Sequence, residues 1–561
     1  MRILFELALA LVALGHAHCL VHADLQHRIF LDHGARRATP ATAANNETTR
    51  PHLVFVMADD LGWSNVGYHN EHAKTPHIDR LVREGVELDR HYAYYYCAPT
   101  RAAMLTGRYP AHVNEEFDDC TPQGTAPLKM TMIAAKLKLA GYRTHQIGKW
   151  GVGQASGRSL PRMRGFDTSF GYLGSAEDHF THKNSGCGGQ CSGKIPSPDL
   201  EHWGTDLWET DRPAAFDHVG QYSSVMYNER VQRVLSQHDP STPLFLYLAP
   251  QDAHGPDQTL PMWSSQYSNY TNGFAVYNGM ASAVDSLVAN LTAGLRAKGM
   301  WKDTLLVFSS DNGGPSQLGK ECNASNYPLR GGKSSAWEGG HRVAAFASGG
   351  LIPPSMRGRL LDGYIHISDW YTTFCGLASV EASDKPAGLP ATDGLDMWPY
   401  LSGANASSPR TEVLLSTLNN TFHPNIMNQG GAGLIVGEWK LLRTHNNQTA
   451  ITGGCSWTGP VYPNTSTPHW PRLPLAANCG SNAVLPGEKG WLFHIKNDPG
   501  EHTDVSATYP MIHAKLLARA LELDLTQIDG LKGDGWRGRP DPAAACAAAA
   551  SNNGTWGPHM P

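Results

Sequence analysis

His52-Leu53-Val54-Phe55-Val56-Met57-Ala58-Asp59-Asp60 is an unbroken apolar run that stops on two carboxylates. A run without polar alternation reads as a strand buried on both faces, the kind that lies inside a parallel sheet covered by helices. Tyr142 to Gly148, Leu244-Phe245-Leu246-Tyr247-Leu248-Ala249 and Thr304 to Phe308 repeat that texture downstream. Helical patterns alternate with them. Thr75-Pro76 opens one that ends near Gly85, with Thr75 as N-cap and Pro76 at the first position. Met130 to Leu139 gives another, stopped by Gly141, while Met280, Val284, Leu287, Val288, Leu291 and Leu295 mark one face of a long third. The alternation predicts an α/β fold built on a large, mostly parallel sheet flanked by helices.

From about Gly430 the texture changes. Gly433 to Leu442 reads as a hairpin turning at Gly437-Glu438, Trp491 to Ile495 as a short strand, and Met511 to Leu523 as an amphipathic helix. These predict a smaller C-terminal α+β subdomain. The Pro/Ala/Gly-rich tail from Arg537 needs an anchor, which Cys546 can supply. The expected organisation is a signal peptide over 1–23, a linker over 24–50, a catalytic domain over 51–425, the α+β subdomain over 426–535 and the anchored tail over 536–561.

At 561 residues the chain exceeds what one core usually supports, and 41% hydrophobic with 17% charged residues is a globular composition. A formal charge of −5 argues against nucleic acid as a partner, whereas protonating all 27 histidines would carry it to about +22. Such a surface would attract polyanions only in an acidic compartment. The N-terminus, one basic residue followed by a short apolar run to Leu14 and a small-residue site at Val21-His22-Ala23, reads as a signal peptide. No later stretch has the roughly 18 apolar residues of a transmembrane anchor. Sequons at Asn46, Asn269, Asn290, Asn323, Asn405, Asn419, Asn447, Asn464 and Asn553 suit a secreted chain, as does an even set of eight cysteines once Cys19 and Cys97 are set aside.

Three polar clusters follow the predicted strands: Asp59-Asp60, Lys149 and Asp311-Asn312-Gly313-Gly314. Taken singly, Asp59-Asp60 reads equally as a helix cap and Asn312-Gly313 as a turn. Together they offer three carboxylates and one amide, oxygen donors that suit calcium or magnesium and not zinc. His254 follows the strand that ends at Ala249, and Lys333 lies in Leu329-Arg330-Gly331-Gly332-Lys333. The aromatic run Tyr94-Tyr95-Tyr96 reads as a strand stopping at Cys97. Pro99 and Thr106-Gly107 then bound a short helix. Cys97 thus sits at a helix N-terminus, where free N–H groups favour an anion, with Arg101 one turn on. As an isolated feature, Cys97 reads as a disulfide cysteine beside a turn.

Cys97-Ala98-Pro99-Thr100-Arg101 followed by Leu105-Thr106-Gly107-Arg108 resembles the sulfatase signature. Val54 to Trp63, Thr75 to Asp79, Ile147-Gly148-Lys149-Trp150, Arg164 to Asp167, Ser310 to Gly314, Lys333 to Gly340 and His366 to Trp370 continue the likeness to that family in order. The tail Gly554 to Pro558 is similar to that of its arylsulfatase B branch. The resemblance covers roughly residues 51 to 560. It implies an alkaline phosphatase-like fold and a calcium-dependent hydrolase of sulfate monoesters, on small molecules or glycans, in the extracellular space or the lysosome. It implies that Cys97 is oxidised to formylglycine by a formylglycine-generating enzyme, and that Asp59, Asp60, Asp311, Asn312 and the modified Cys97 hold calcium. Arg101 would fix the aldehyde hydrate, whose hydroxyl attacks sulfur. Lys149, His254 and Lys333 would bind sulfate, with His254 or Lys333 protonating the leaving alcohol. It further implies the pairs Cys187–Cys191, Cys455–Cys479 and Cys120–Cys546, leaving Cys322 and Cys375 unassigned.

Two departures stand out. Thr100 replaces the usual serine but keeps a hydroxyl. Gly151 stands where the family has the histidine that bonds the diol and acts as base. That loss keeps open a glycan-binding relative with weak turnover; a phosphoesterase of the same superfamily is the other alternative.

Overall fold

The computed structural model describes residues 50–115, 120, 126–184, 186, 204–316, 323–384, 388–418, 431–444, 457–462, 487–528 and 541–561. The strands of the main sheet are, in chain order, β1 (His52–Ala58), β2 (Val86–Leu88), β3 (Arg143–Gly148), β4 (Thr168–Gly171), β5 (Trp208–Glu209), β6 (Arg212–Pro213), β7 (Leu244–Ala249), β8 (Thr304–Ser310), β9 (Ala345–Ser348) and β10 (Arg359–Leu361). They lie in the order β10-β2-β9-β8-β1-β7-β3-β4-β5-β6. The five central strands β8-β1-β7-β3-β4 are parallel, as their apolar runs require; antiparallel pairs occur only toward the flanks, so the sheet is mixed.

β1 is buried at every position because both faces are covered. Leu53, Phe55 and Met57 face one layer, packed with α2 (Cys97–Thr106), α3 (Ile133–Leu139) and α6 (Asp369–Ala378). Val54, Val56 and Ala58 face the other, with α1 (Pro76–Glu84), α4 (Ser223–Gln237) and α5 (Asn272–Ala297). The face marked from Met280 to Leu295 is the buried face of α5.

Beside this core lies a four-stranded antiparallel sheet of β11 (Glu412–Ser416), β12 (Ala432–Val436), β13 (Trp439–Arg443) and β14 (Trp491–His494). α7 (Pro510–Asp524) packs Leu516, Ala520 and Leu523 against it. β11 comes from before the change of texture at Gly430. The tail helix Pro542–Ser551 is capped by Asp541, and Cys546 and Cys120, both disulfide-bonded, share one apolar cluster with Trp556. Cys375 is free, while Cys187, Cys191, Cys322, Cys455 and Cys479 lie outside the described residues.

Three local expectations need correcting. The strand before Cys97 ends at Tyr92, because its partner Ile365–His366 is two residues long and the backbone N–H of Tyr94 turns to the Thr100 hydroxyl instead. Thr75 holds the N-cap position of α1, as expected, but its side chain does not cap: the hydroxyl accepts from Gly67 N and donates to Asp79, and Asp285 of α5 accepts from Ile78 N instead. The helix expected from Met130 begins at Ile133.

Burial also sets the pH response. It pushes the Glu177 and Asp285 carboxyls up to about 7, and drives the His91 and His341 imidazoles down to about 3. The raised carboxyls hold protons that the unfolded chain releases, so they stabilise the fold as pH falls through 7. The depressed histidines act oppositely, since below 6.5 only the unfolded chain takes up their protons. Below the ordinary carboxyl values of 3.8 to 4.5 only the histidine effect remains. Calorimetry on Asp285→Asn should therefore show a smaller rise of Tm between about pH 8 and about 6.5 than the parent shows; an unchanged rise would contradict the assignment of Asp285.

Candidate active site

Parallel neighbours end on the same edge of a sheet, and ligands gather beyond their carboxyl ends. β8, β1, β7 and β3 are consecutive, so Asp311, Asp59-Asp60, the loop to His254, and Lys149 emerge side by side. Backbone bonds stitch them together: Asp311 N to Ala58 O at 3.1 Å, Lys149 N to Ala249 O at 2.7 Å, Asp59 N to Asp252 O at 3.1 Å and Ala253 N to Asp59 O at 2.7 Å. Gly148 is required here, because a Cβ would fall 1.9 Å from the Ala249 carbonyl.

Cys97 is the first residue of α2, with Tyr96 at the N-cap position and the left-handed Gly107 closing the other end. The Thr100 hydroxyl accepts from Tyr94 N at 2.9 Å and donates to Tyr94 O at 3.2 Å, which ties the approach to the helix. Arg101 turns under the site: Nη2 and Nε reach Asp311 Oδ2 at 2.7 and 3.1 Å, Nη2 lies 3.6 Å from Asp59, and Nη1 donates to Tyr247 OH at 3.2 Å. Lys149 Nζ is 2.7 Å from Asp59 Oδ2, and Lys333 Nζ is 2.7 Å from Asp60 Oδ1. Asn312 Nδ2 donates to Asp60 Oδ1 at 2.7 Å. Half-buried His254 directs Nε2 toward Asp60 Oδ2 at 3.6 Å, with Nδ1 at 2.8 Å from Gly255 O. Asp60 takes a left-handed φ of 61°, and Tyr277 OH donates to its carbonyl at 2.5 Å.

All nine residues singled out from the sequence therefore converge. Asp59, Cys97 and Asp311 place ligand atoms within 4.8 Å of one another, as do Asp59, Asp60 and His254. Buried Asp59 Oδ1 and Asn312 Oδ1 have no hydrogen-bond partner. Two such oxygens beside two further carboxylates fit a hard divalent cation.

Burial would raise Asp59, but Lys149, His254 and Arg101 outweigh it and hold the carboxyl low; Lys333 and His254 do the same for Asp60. Asp311 is raised by burial and the neighbouring Asp59 charge, against the pull of Arg101. The Cys97 thiol is also pushed up, by burial and then by Asp59 and Asp311, against Lys149 and Lys333. This corrects the expectation of an anion-favouring cysteine. Arg101 is committed to Asp311, and an unmodified Cys97 stays a neutral thiol, a poor nucleophile.

Tyr247, Tyr172 (whose OH reaches Asp59 Oδ2 at 3.4 Å) and Tyr277 were not legible as site residues. Phenols inside apolar runs read as core. Gly151 has a φ of 61°, and a Cβ there would lie 3.2 Å from Lys149 Cε and 3.4 Å from Arg101 Cδ, so a side chain would enter the site. His145 is bonded to Thr168 in the body of the sheet, away from this edge.

Residues 51–380 match the family model described as Sulfatase. The chain is 34% identical over 526 residues to arylsulfatase J of Mus musculus, spanning 91% of this chain and 80% of that protein. It is 28% identical to N-acetylgalactosamine-6-sulfatase of the same species, spanning 81% and 82% respectively. Among solved structures, Ps i-CgsB in complex with k-i-k-neocarrahexaose aligns with a TM-score of 0.68 at 25% identity, covering 86% of this chain and 94% of that one. The phosphonate monoester hydrolase of Agrobacterium radiobacter shares the fold alone, at 16% identity and a TM-score of 0.53, covering 85% and 96%.

Arg101→Met would strand Asp311 and Asp59 in the interior without their guanidinium. Denaturant unfolding without added metal should show a loss of about 3–5 kcal/mol; a loss under about 1 kcal/mol would show that Arg101 does not balance this site.

Proposed function

The chain belongs to the sulfatase family, and from that premise we propose that it is a calcium-dependent sulfatase of the secretory pathway whose nucleophile is made from Cys97. Sulfuric ester hydrolysis is the activity of the family. The observation that carries the finer reading is the meeting of Cys97 with Asp59, Asp60, Asp311, Lys149, Lys333 and His254 at one edge of the sheet. The buried, neutral thiol supports it, since a cysteine so placed serves the site only after conversion. A formylglycine-generating enzyme is then the first partner, and a sulfated small molecule or glycan the second.

In this reading residues 51–425 carry the reaction, with the 426–535 unit and the tail packed alongside. Asp59, Asp60, Asp311, Asn312 and the modified Cys97 would hold calcium, which would supply Lewis-acid polarisation of the sulfate, and the aldehyde hydrate made from Cys97 would supply the attacking hydroxyl. Arg101 keeps Asp311 oriented and balances its charge. Lys149 and Lys333, both held protonated by the carboxylates they face, bind sulfate oxygens. Lys333 carries the proton for the leaving alcohol. Burial and the charge of Lys333 keep His254 neutral, suiting it to accept a proton or a hydrogen bond.

A sulfated sugar is the favoured substrate class, from the relative named N-acetylgalactosamine-6-sulfatase and the structure in complex with k-i-k-neocarrahexaose. Affinity to the arylsulfatase B branch rests on the tail motif alone. The expected signal peptide points to the extracellular space or the lysosome, and no helix among the described residues is long and apolar enough to cross a membrane. Four sequons, at Asn269, Asn290, Asn405 and Asn553, are exposed and open to glycosylation. A phosphoesterase using two zinc ions is disfavoured by a donor set with one histidine. The weak-turnover glycan binder keeps one support, Gly151.

Aryl-sulfate hydrolysis should vanish in Cys97→Ala with unchanged Tm, and should be lost on exhaustive chelation and restored by calcium. Full activity after chelation would refute the metal assignment. Replacing an imidazole by hydrogen at Gly151 removes a proton-transfer group, an effect of about 10²–10⁴ in rate. Rapid-mixing kinetics on the parent should show a burst of phenol release before slow turnover, and Gly151→His should speed turnover and abolish the burst. The left-handed backbone tolerates histidine better than most residues. A fast parent without a burst, slowed by Gly151→His, would show that another group has taken the role.

A further inference from the structure

Lys333 is the one cation of the site that comes from a loop rather than from the end of a sheet strand or from α2. That loop, Arg330 to Gly340, is closed on itself by Gly339 N to Arg330 O at 2.7 Å. It is moored inside the catalytic unit by Lys333 N to Gly314 O at 3.3 Å and Ser334 N to Tyr95 O at 2.8 Å. Ser334 takes a φ of 66°, left-handed for a residue with a side chain. Such a conformation persists only where the surroundings over-determine it.

The outer ends of the loop are gripped from the C-terminal unit, and one residue grips both. The Glu501 carbonyl accepts from Arg330 Nη1 at 3.2 Å. Its carboxylate accepts from Glu338 N at 2.6 Å and lies 2.8 Å from Lys440 Nζ. Lys440, from β13, pairs with Glu338 Oε1 at 3.0 Å, and Tyr92 OH donates to the other Glu338 oxygen at 2.9 Å. At the Arg330 end, the guanidinium carbon lies 3.6 Å from the Trp337 ring centre and 4.6 Å from that of Trp457. Trp457 Nε1 in turn donates to Gly500 O at 2.7 Å.

Glu501 is fully buried and itself left-handed, with a φ of 54°. A buried carboxylate in a strained backbone is costly for a residue that only fills space. We propose that Glu501 is a positioning residue for Lys333, a clasp from the C-terminal unit that closes both ends of the Lys333 loop and sets the ammonium against Asp60. The inference rests on the reading of Lys333 as a sulfate-binding cation. It gives the C-terminal unit a part in the reaction through the loop that Glu501 holds. Glutamine at 501 keeps the acceptor for Glu338 N but turns an amide toward Lys440, so the clasp loosens without a large change in volume.

The test is a double-mutant cycle on the full chain: parent, Lys333→Ala, Glu501→Gln and the two combined. The readouts are KM and kcat for an aryl sulfate, the inhibition constant of inorganic sulfate, and Tm. Lys333→Ala should raise KM and the sulfate inhibition constant. Glu501→Gln should raise both by about tenfold or more in the parent, but by less than about twofold in the Lys333→Ala background. Equal effects in both backgrounds, or a Tm loss with KM and the inhibition constant unmoved, would overturn the proposal and leave Glu501 a purely structural residue. A neutral Lys333→Ala would instead overturn the sulfate-binding reading of Lys333, and the clasp with it. Should Glu501→Gln not fold, Trp457→Phe, which removes the bond to Gly500, takes its place in the cycle with the same expectations.

Discussion

Carboxylates taken out of water keep their charge only where cations and hydrogen-bond donors meet them. Asp59, Asp60 and Asp311 are all buried at the carboxyl edge of the sheet, and each meets a cation: Lys149, Lys333 and Arg101. The three cations come from a strand end, a loop and a helix, respectively. The pairing therefore ties β3, the Lys333 loop and α2 to the ends of β1 and β8. Cys97 is carried on the same helix as Arg101, one turn away, so balancing the charge also places Cys97 at this edge. The contacts that hold these segments together are the same ones that assemble the candidate site.

The crowding this imposes is visible in the backbone. Among the described residues, seven other than glycine take a positive φ, and Asp60 and Ser334 are two of them at the site itself. Gly148 and Gly313 sit where a Cβ would fall 1.9 and 1.6 Å from a carbonyl oxygen. Sparsely populated conformations and glycine-only approaches gather where several chain segments must converge on one small volume. The network that holds them extends away from the chemistry, through Glu338 and Lys440 to the small sheet.

The central strands were legible because a parallel strand covered on both faces has to be apolar throughout, and the polar residues after each strand were legible because that edge is where such sheets bind ligands. The order of those strands was not legible, yet it is what makes Asp59, Lys149, His254 and Asp311 neighbours. Local expectations failed where a distant group outcompeted a local one: Asp285 took the capping role expected of Thr75, and Thr100 withdrew Tyr94 from a strand. Tyr247 and Tyr172 were hidden because a phenol in an apolar run is indistinguishable from core until its hydroxyl is seen against Arg101 or Asp59. Glu501 meets Glu338 from 163 residues away, a separation at which no spacing rule operates.

The proposed role of this charge-balanced edge is to present a converted Cys97. The most direct measurement is the mass of the Cys97 peptide, taken from protein produced in a secretory pathway that contains the modifying enzyme and assayed on the same sample. The expected peptide has lost its sulfur and gained an aldehyde oxygen, with the converted fraction tracking sulfatase activity. A fully active preparation in which Cys97 is entirely an unmodified thiol would contradict it.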